Sequence, residues 1–168
     1  MINVVRNSLG FVLLLLLQIF LFNHLVLFRM AIPYVFPLFL FMLPLRTPRL
    51  LVYPLAFFMG LMVDIFSDHA ATGLHAFSCL LAVALRPWLA NILGASNFRV
   101  VEEIDLPKQS SVWLLMYLAI LFFVHHFSYF LLEDFTFLRL FHVLGKTIFS
   151  TIYSSLLAFL IVFVFYKR

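Results

Sequence analysis

The chain has 168 residues, of which 65% are hydrophobic and only 11% charged. Soluble domains carry about 25% charged residues, so a water-soluble globule is excluded and the composition is that of a membrane protein. The formal net charge of +4 is not gathered into a basic run or onto a basic helix face, which argues against nucleic acid as a partner, and the lone cysteine, Cys79, excludes an intrachain disulfide.

A helix needs about 20 apolar residues to cross the hydrocarbon core. Residues 9–28 meet this directly; the run is too long for a cleavable signal segment and no small-x-small site follows, so it reads as an uncleaved first span. The second span is 32–45, with Pro33, Pro37 and Pro44, and Pro37 is expected to kink it. Arg46-Thr47-Pro48-Arg49 makes a tight polar turn. The third span, 50–66, carries Gly60 and Asp64 four residues apart, hence on one face. The fourth, 70–85, begins near Gly73 and His75. It is expected to end at Arg86-Pro87, because proline has no N–H to give the helix. Residues 94–111 form the one long hydrophilic connection. The fifth span is 112–132, a short amphipathic helix at 135–146 is expected to lie on the outer membrane surface, and the sixth span is 147–165. The expected fold is all-α: one domain, 1–168, forming a polytopic helix bundle of about six transmembrane helices.

With the N-terminus in the cytoplasm, six spans place Arg6, Arg46, Arg49, Arg86, Arg99, Lys108, Lys167 and Arg168 inside and Arg29, Arg139 and Lys146 outside. That asymmetry fits the positive-inside rule, puts both termini in the cytoplasm and makes 94–111 a cytoplasmic loop.

The same orientation draws all six histidines toward the outer side, namely His24, His69, His75, His125, His126 and His142. Imidazoles and carboxylates can hold a metal, but no ligand spacing such as HExxH is present, and polar residues collecting at span ends explain the pattern more simply. No metal or cofactor is therefore expected. Asp64 is the best single candidate for a specific role, as a proton carrier or as a linchpin between helices; its place about one turn from the span end favours packing and hydrogen bonding. His75 is a plausible partner for it. Gly60, Asp64, Gly73, His75 and Arg86 are the expected helix-packing and partner-contact residues, and Asp64→Leu is expected to weaken packing more than Asp68→Leu. No GxSxG elbow, phosphate-binding glycine loop or nucleotide signature occurs, so no enzyme is expected.

The runs Asn23-His24-Leu25-Val26-Leu27-Phe28, Pro33-Tyr34-Val35-Phe36 and Leu43-Pro44-Leu45-Arg46-Thr47-Pro48-Arg49 resemble the rod shape-determining protein MreD family. Gly60-Leu61-Met62-Val63-Asp64-Ile65-Phe66-Ser67, Gly73-Leu74-His75-Ala76 and Leu85-Arg86-Pro87 resemble it more strongly; the resemblance covers about residues 18–93. It implies a non-catalytic scaffold or regulatory subunit of the bacterial cell-elongation and peptidoglycan-synthesis machinery, in the inner membrane. The implied partners are MreC, and through it MreB and peptidoglycan synthases of the RodA and penicillin-binding-protein type, with membrane lipid around the bundle. The implied fold is similar to the six-helix substrate-binding subunits of energy-coupling vitamin transporters. A transporter-type subunit binding a small ligand is the alternative, and it needs convergent polar groups near mid-membrane.

Overall fold

Away from water, a backbone must satisfy its N–H and C=O groups internally, and the long apolar runs do so as helices. The computed structural model describes residues 2–25, 31–67, 72–94, 106, 109–134 and 139–165. The helices are α1 (Ile2–Phe20), α2 (Leu38–Met42), α3 (Arg49–Phe66), α4 (Leu74–Gly94), α5 (Ser111–Asp134) and α6 (Leu140–Phe165), with a single 3-10 turn, Phe22–His24, after α1. No β-strand occurs among the described residues. Four helices, α3 to α6, are long and apolar enough to cross a membrane, which makes this a membrane protein; the apolar helical stretch after Gly10 in α1 is shorter.

Consecutive helices pack side by side, α3 on α4, α4 on α5 and α5 on α6, while α1 packs against α3. Their outer faces carry large apolar side chains, among them Leu16, Phe58, Phe77, Met116 and Leu156, as lipid contact requires. On its inner face α6 presents Thr147, Ser150, Thr151, Ser154 and Ser155, all buried. These residues are small enough to bring α5 close, and their hydroxyls can bond across or back onto the backbone.

The expected second span is organised differently from a membrane helix. Only the five residues of α2 are helical, and all five are buried. The residues before them, 31–37, lack regular helix, yet from Ala31 to Leu43 every residue but half-buried Ile32 is buried. This segment fills the middle of the bundle: α2 touches α1, α3, α4 and α5. It still runs along the bundle. Tyr34 packs on His75 and Tyr129, whereas the Phe41 carbonyl meets Arg86 and Tyr117. Those landmarks on α4 and α5 are eleven and twelve residues apart, roughly 17 Å along a helix axis. Seven residues of α-helix would cover only about 10 Å, so the distance is made up by the extended stretch around Val35.

Two further expectations are corrected. Helix α4 does not stop at Arg86-Pro87 but continues to Gly94 with Pro87 inside it; packed neighbours tolerate the one missing backbone bond. Residues 140–146 are not a separate interfacial helix but the first turns of α6, which runs unbroken for 26 residues. At about 39 Å it exceeds a hydrocarbon core of about 30 Å, so a turn or two stands beyond the core. There Lys146 pairs with Glu133 at 3.5 Å and with Asp134 at 3.9 Å. Residues 135–138 and most of the connection at 94–111 lie outside the described residues.

Candidate functional site

Three of the singled-out residues form one lock between α3 and α4. Gly73 ends the approach to α4 with φ of 102°, a left-handed conformation that favours glycine. Its carbonyl accepts the first helical bond of α4, from Phe77 N–H at 2.9 Å. Gly73 therefore occupies the N-cap position, where serine or aspartate ordinarily supplies a side-chain acceptor. Asp64 supplies it from α3 instead. Its Oδ2 accepts from the Gly73 N–H at 3.0 Å and the Ala76 N–H at 3.1 Å, and its Oδ1 accepts from the His75 N–H at 3.0 Å. The carboxylate thus satisfies donors at a helix N-terminus, where the helix dipole also favours negative charge. Gly60 makes the approach possible: a Cβ there would lie 2.5 Å from both the Cα and N of Ala76 and 2.6 Å from the His75 carbonyl carbon. The expected Asp64–His75 contact is thus made through the His75 backbone.

At the other end, Arg86 is buried and holds the C-terminal side of α2. Its Nη2 donates to the Phe41 carbonyl at 3.3 Å and to the Leu43 carbonyl, and its Nε donates to Tyr117 Oη at 3.3 Å. Tyr117 in turn donates to the Phe41 carbonyl at 3.3 Å. A short helix leaves its last carbonyls without helical partners, and a guanidinium fork can serve two of them at once. Arg86→Met is therefore expected to lower stability in detergent by roughly 2–3 kcal/mol and Tyr117→Phe by about 1 kcal/mol, read from thermal unfolding of the purified protein.

Gln18 anchors the extended part of the segment. Its Oε1 accepts from Val35 N–H at 2.8 Å and Phe36 N–H at 3.3 Å, while its Nε2 donates to the Pro33 carbonyl at 3.2 Å and to Asn23 Oδ1 at 2.8 Å. Ser150 of α6 accepts from Ile32 N–H at 3.1 Å. One amide and one hydroxyl thus replace the helical bonds that residues 32–36 lack. Gln18, Tyr117 and Ser150 were not among the expected site residues. Gln18 did carry a signal, as a lone amide in an otherwise apolar stretch of the first span.

The histidines divide in a way that span ends do not explain. His24 and His142 are exposed, but His75, His125 and His126 are wholly buried. They gather around Tyr34: His75 lies 4.4 Å from it between ring centres and stacks on Tyr129 at 4.1 Å, and His126 lies 5.6 Å from it. His126 is fixed at both nitrogens, Nδ1 2.6 Å from the Phe122 carbonyl and Nε2 3.2 Å from Ser154 Oγ. Since Nδ1 must donate to that carbonyl, Nε2 of the neutral ring accepts from the serine hydroxyl. His125 packs edge-on to Phe36 at 5.5 Å and parallel to His75 at 5.6 Å. No group of three or more His, Cys, Asp or Glu side chains among the described residues is arranged to hold a metal. His69 and Asp68 lie outside the described residues.

The expected site residues therefore fall into two clusters at opposite ends of the buried segment. Gly60, Asp64, Gly73 and the His75 backbone lie together at one end, and Arg86 lies at the other. Comparison with protein-family models, with curated proteins and with solved structures finds no match.

Proposed function

We propose that the chain is a non-catalytic membrane scaffold of the MreD type, a subunit of the bacterial cell-elongation machinery that binds MreC in the inner membrane with both termini cytoplasmic. The observation that carries this reading is the use made of the residues on which the resemblance rests. Gly60, Asp64 and Gly73 join α3 to α4, and Arg86 joins α4 to α2. Each fixes one element against another and leaves the outer helix faces to partners. That suits a protein whose product is a shaped surface.

Charge supports the orientation. Arg46, Arg49 and Arg86 gather at the end assigned to the cytoplasm. At the end assigned to the outside the described basic residues are Arg139 and Lys146, fewer than the three arginines at the other end, as the positive-inside rule expects of this orientation.

Co-expression with MreC and extraction in a mild detergent tests the reading. The expected result is stable co-purification. Repeated failure at matched expression of a folded, monodisperse protein overturns it.

A further inference from the structure

We propose that the pocket between the Leu45–Arg49 turn, α3 and α4 binds the phosphate group of an acidic phospholipid headgroup. The pocket has a volume of about 250 Å³ and is lined by Arg46, Thr47, Arg49, Tyr53, Val83 and Arg86, among others, with no carboxylate among the described residues that line it. One water takes about 30 Å³ in the liquid, so a phosphate and its attached glycerol are within the size of the space.

Three features make the pocket selective for an anion. Arg46 and Arg49 are exposed and hold the mouth, whereas Arg86 is 3% exposed. The buried guanidinium is fixed by bonds from Nε and Nη2, and Nη1 takes part in neither. Helix α3 also begins here, at Arg49, with Pro48 as its N-cap, no side-chain cap and no acidic residue in its first turn. The positive end of an 18-residue helix thus adds to the three arginines instead of being offset. The ion pairs found among the described residues, Lys146 with Glu133 and Asp134, belong to α5 and α6 at the other end of the bundle.

The surroundings select a lipid over a free ion. Leu50 is 89% exposed and Trp88 is 61% exposed, and each directly follows a pocket residue in sequence. A phospholipid uses both surfaces at once, its phosphate among the arginines and its chains along the apolar flanks of α3 and α4. Inorganic phosphate uses only the first. Arginine suits the phosphate because its planar fork makes paired bonds to two oxygens.

Native mass spectrometry of the detergent-solubilised protein, after exchange into phosphatidylglycerol or phosphatidylcholine, tests this. The wild type is expected to retain phosphatidylglycerol at least about tenfold better than phosphatidylcholine, and excess inorganic phosphate is expected to leave the lipid in place. Arg46→Gln/Arg49→Gln changes two exposed side chains, should leave the melting temperature unchanged, and is expected to reduce the preference to near parity. Equal retention of the two lipids by the wild type overturns the proposal, as does an undiminished preference in the double variant. Displacement of the lipid by inorganic phosphate reassigns the pocket to a free anion and overturns the lipid assignment.

Discussion

Gly60→Ala is expected to be among the most damaging single substitutions in the chain, although it adds one methyl group. The new Cβ would sit 2.5 Å from the Ala76 backbone and 2.6 Å from the His75 carbonyl carbon. A flexible side chain could swing aside, but these are atoms of the first turn of α4, so the helices themselves must part by about 1 Å to restore ordinary carbon contacts. That movement also stretches the three bonds to Asp64, now 3.0 to 3.1 Å long. Overpacking alone ordinarily costs about 1–3 kcal/mol; with the coupled bonds weakened, the loss is expected to reach about 3 kcal/mol or more. Thermal unfolding in detergent reads it directly. Gly145→Ala is the contrasting case: nothing lies within 4 Å of its added Cβ, and a mid-helix alanine is worth up to about 1 kcal/mol over glycine. A Gly60→Ala protein as stable as wild type would remove the close approach of α3 and α4 as a feature of the fold.

Much of the lock was legible in sequence because its determinants are local. Gly60 and Asp64 share a helical face by spacing alone, and a carboxylate in an apolar run needs partners wherever it lies. The chemistry of those partners was not legible. An acid next to a histidine suggests an ion pair, whereas the carboxylate takes the backbone N–H groups that a glycine N-cap leaves without a side-chain acceptor. The segment 31–43 misled for the opposite reason. Its hydropathy is that of a span, and its prolines read as kinks. Nothing within it shows that Gln18 and Ser150, at distances of up to 118 residues, would take over its backbone bonds. Pro87 and residues 140–146 show the same limit. Local rules predict a break at each, and packing against neighbouring helices carries the helix through. The burial of His75, His125 and His126 was not legible because a position near the end of a span looks wet in sequence. Here the buried segment and the inner face of α6 close over it.

Asp64→Leu is expected to be the other large loss, and its comparison with Asp64→Asn separates burial from hydrogen bonding. Leucine fits an apolar interface but accepts nothing. Three backbone N–H groups, those of Gly73, His75 and Ala76, then face it at the mouth of α4. Each unsatisfied buried donor costs about 1–3 kcal/mol, so a total of about 3–5 kcal/mol is expected, moderated where water reaches the Gly73 end. Asparagine keeps one acceptor oxygen, yet turns an NH₂ group toward the donors that Oδ2 served if Oδ1 keeps its bond. Its cost is expected to be roughly half that of leucine, and it also loses the attraction between a negative charge and the helix N-terminus. The double variant Gly60→Ala/Asp64→Leu distinguishes a shared lock from two separate contacts. If methyl insertion acts partly by stretching the carboxylate's bonds, those bonds cannot be lost twice. The combined loss should then fall short of the two single losses by at least about 0.5–1 kcal/mol. Simple additivity in thermal or denaturant unfolding would mean that the glycine and the acid act independently, and that the carboxylate caps α4 without depending on how closely α3 approaches it.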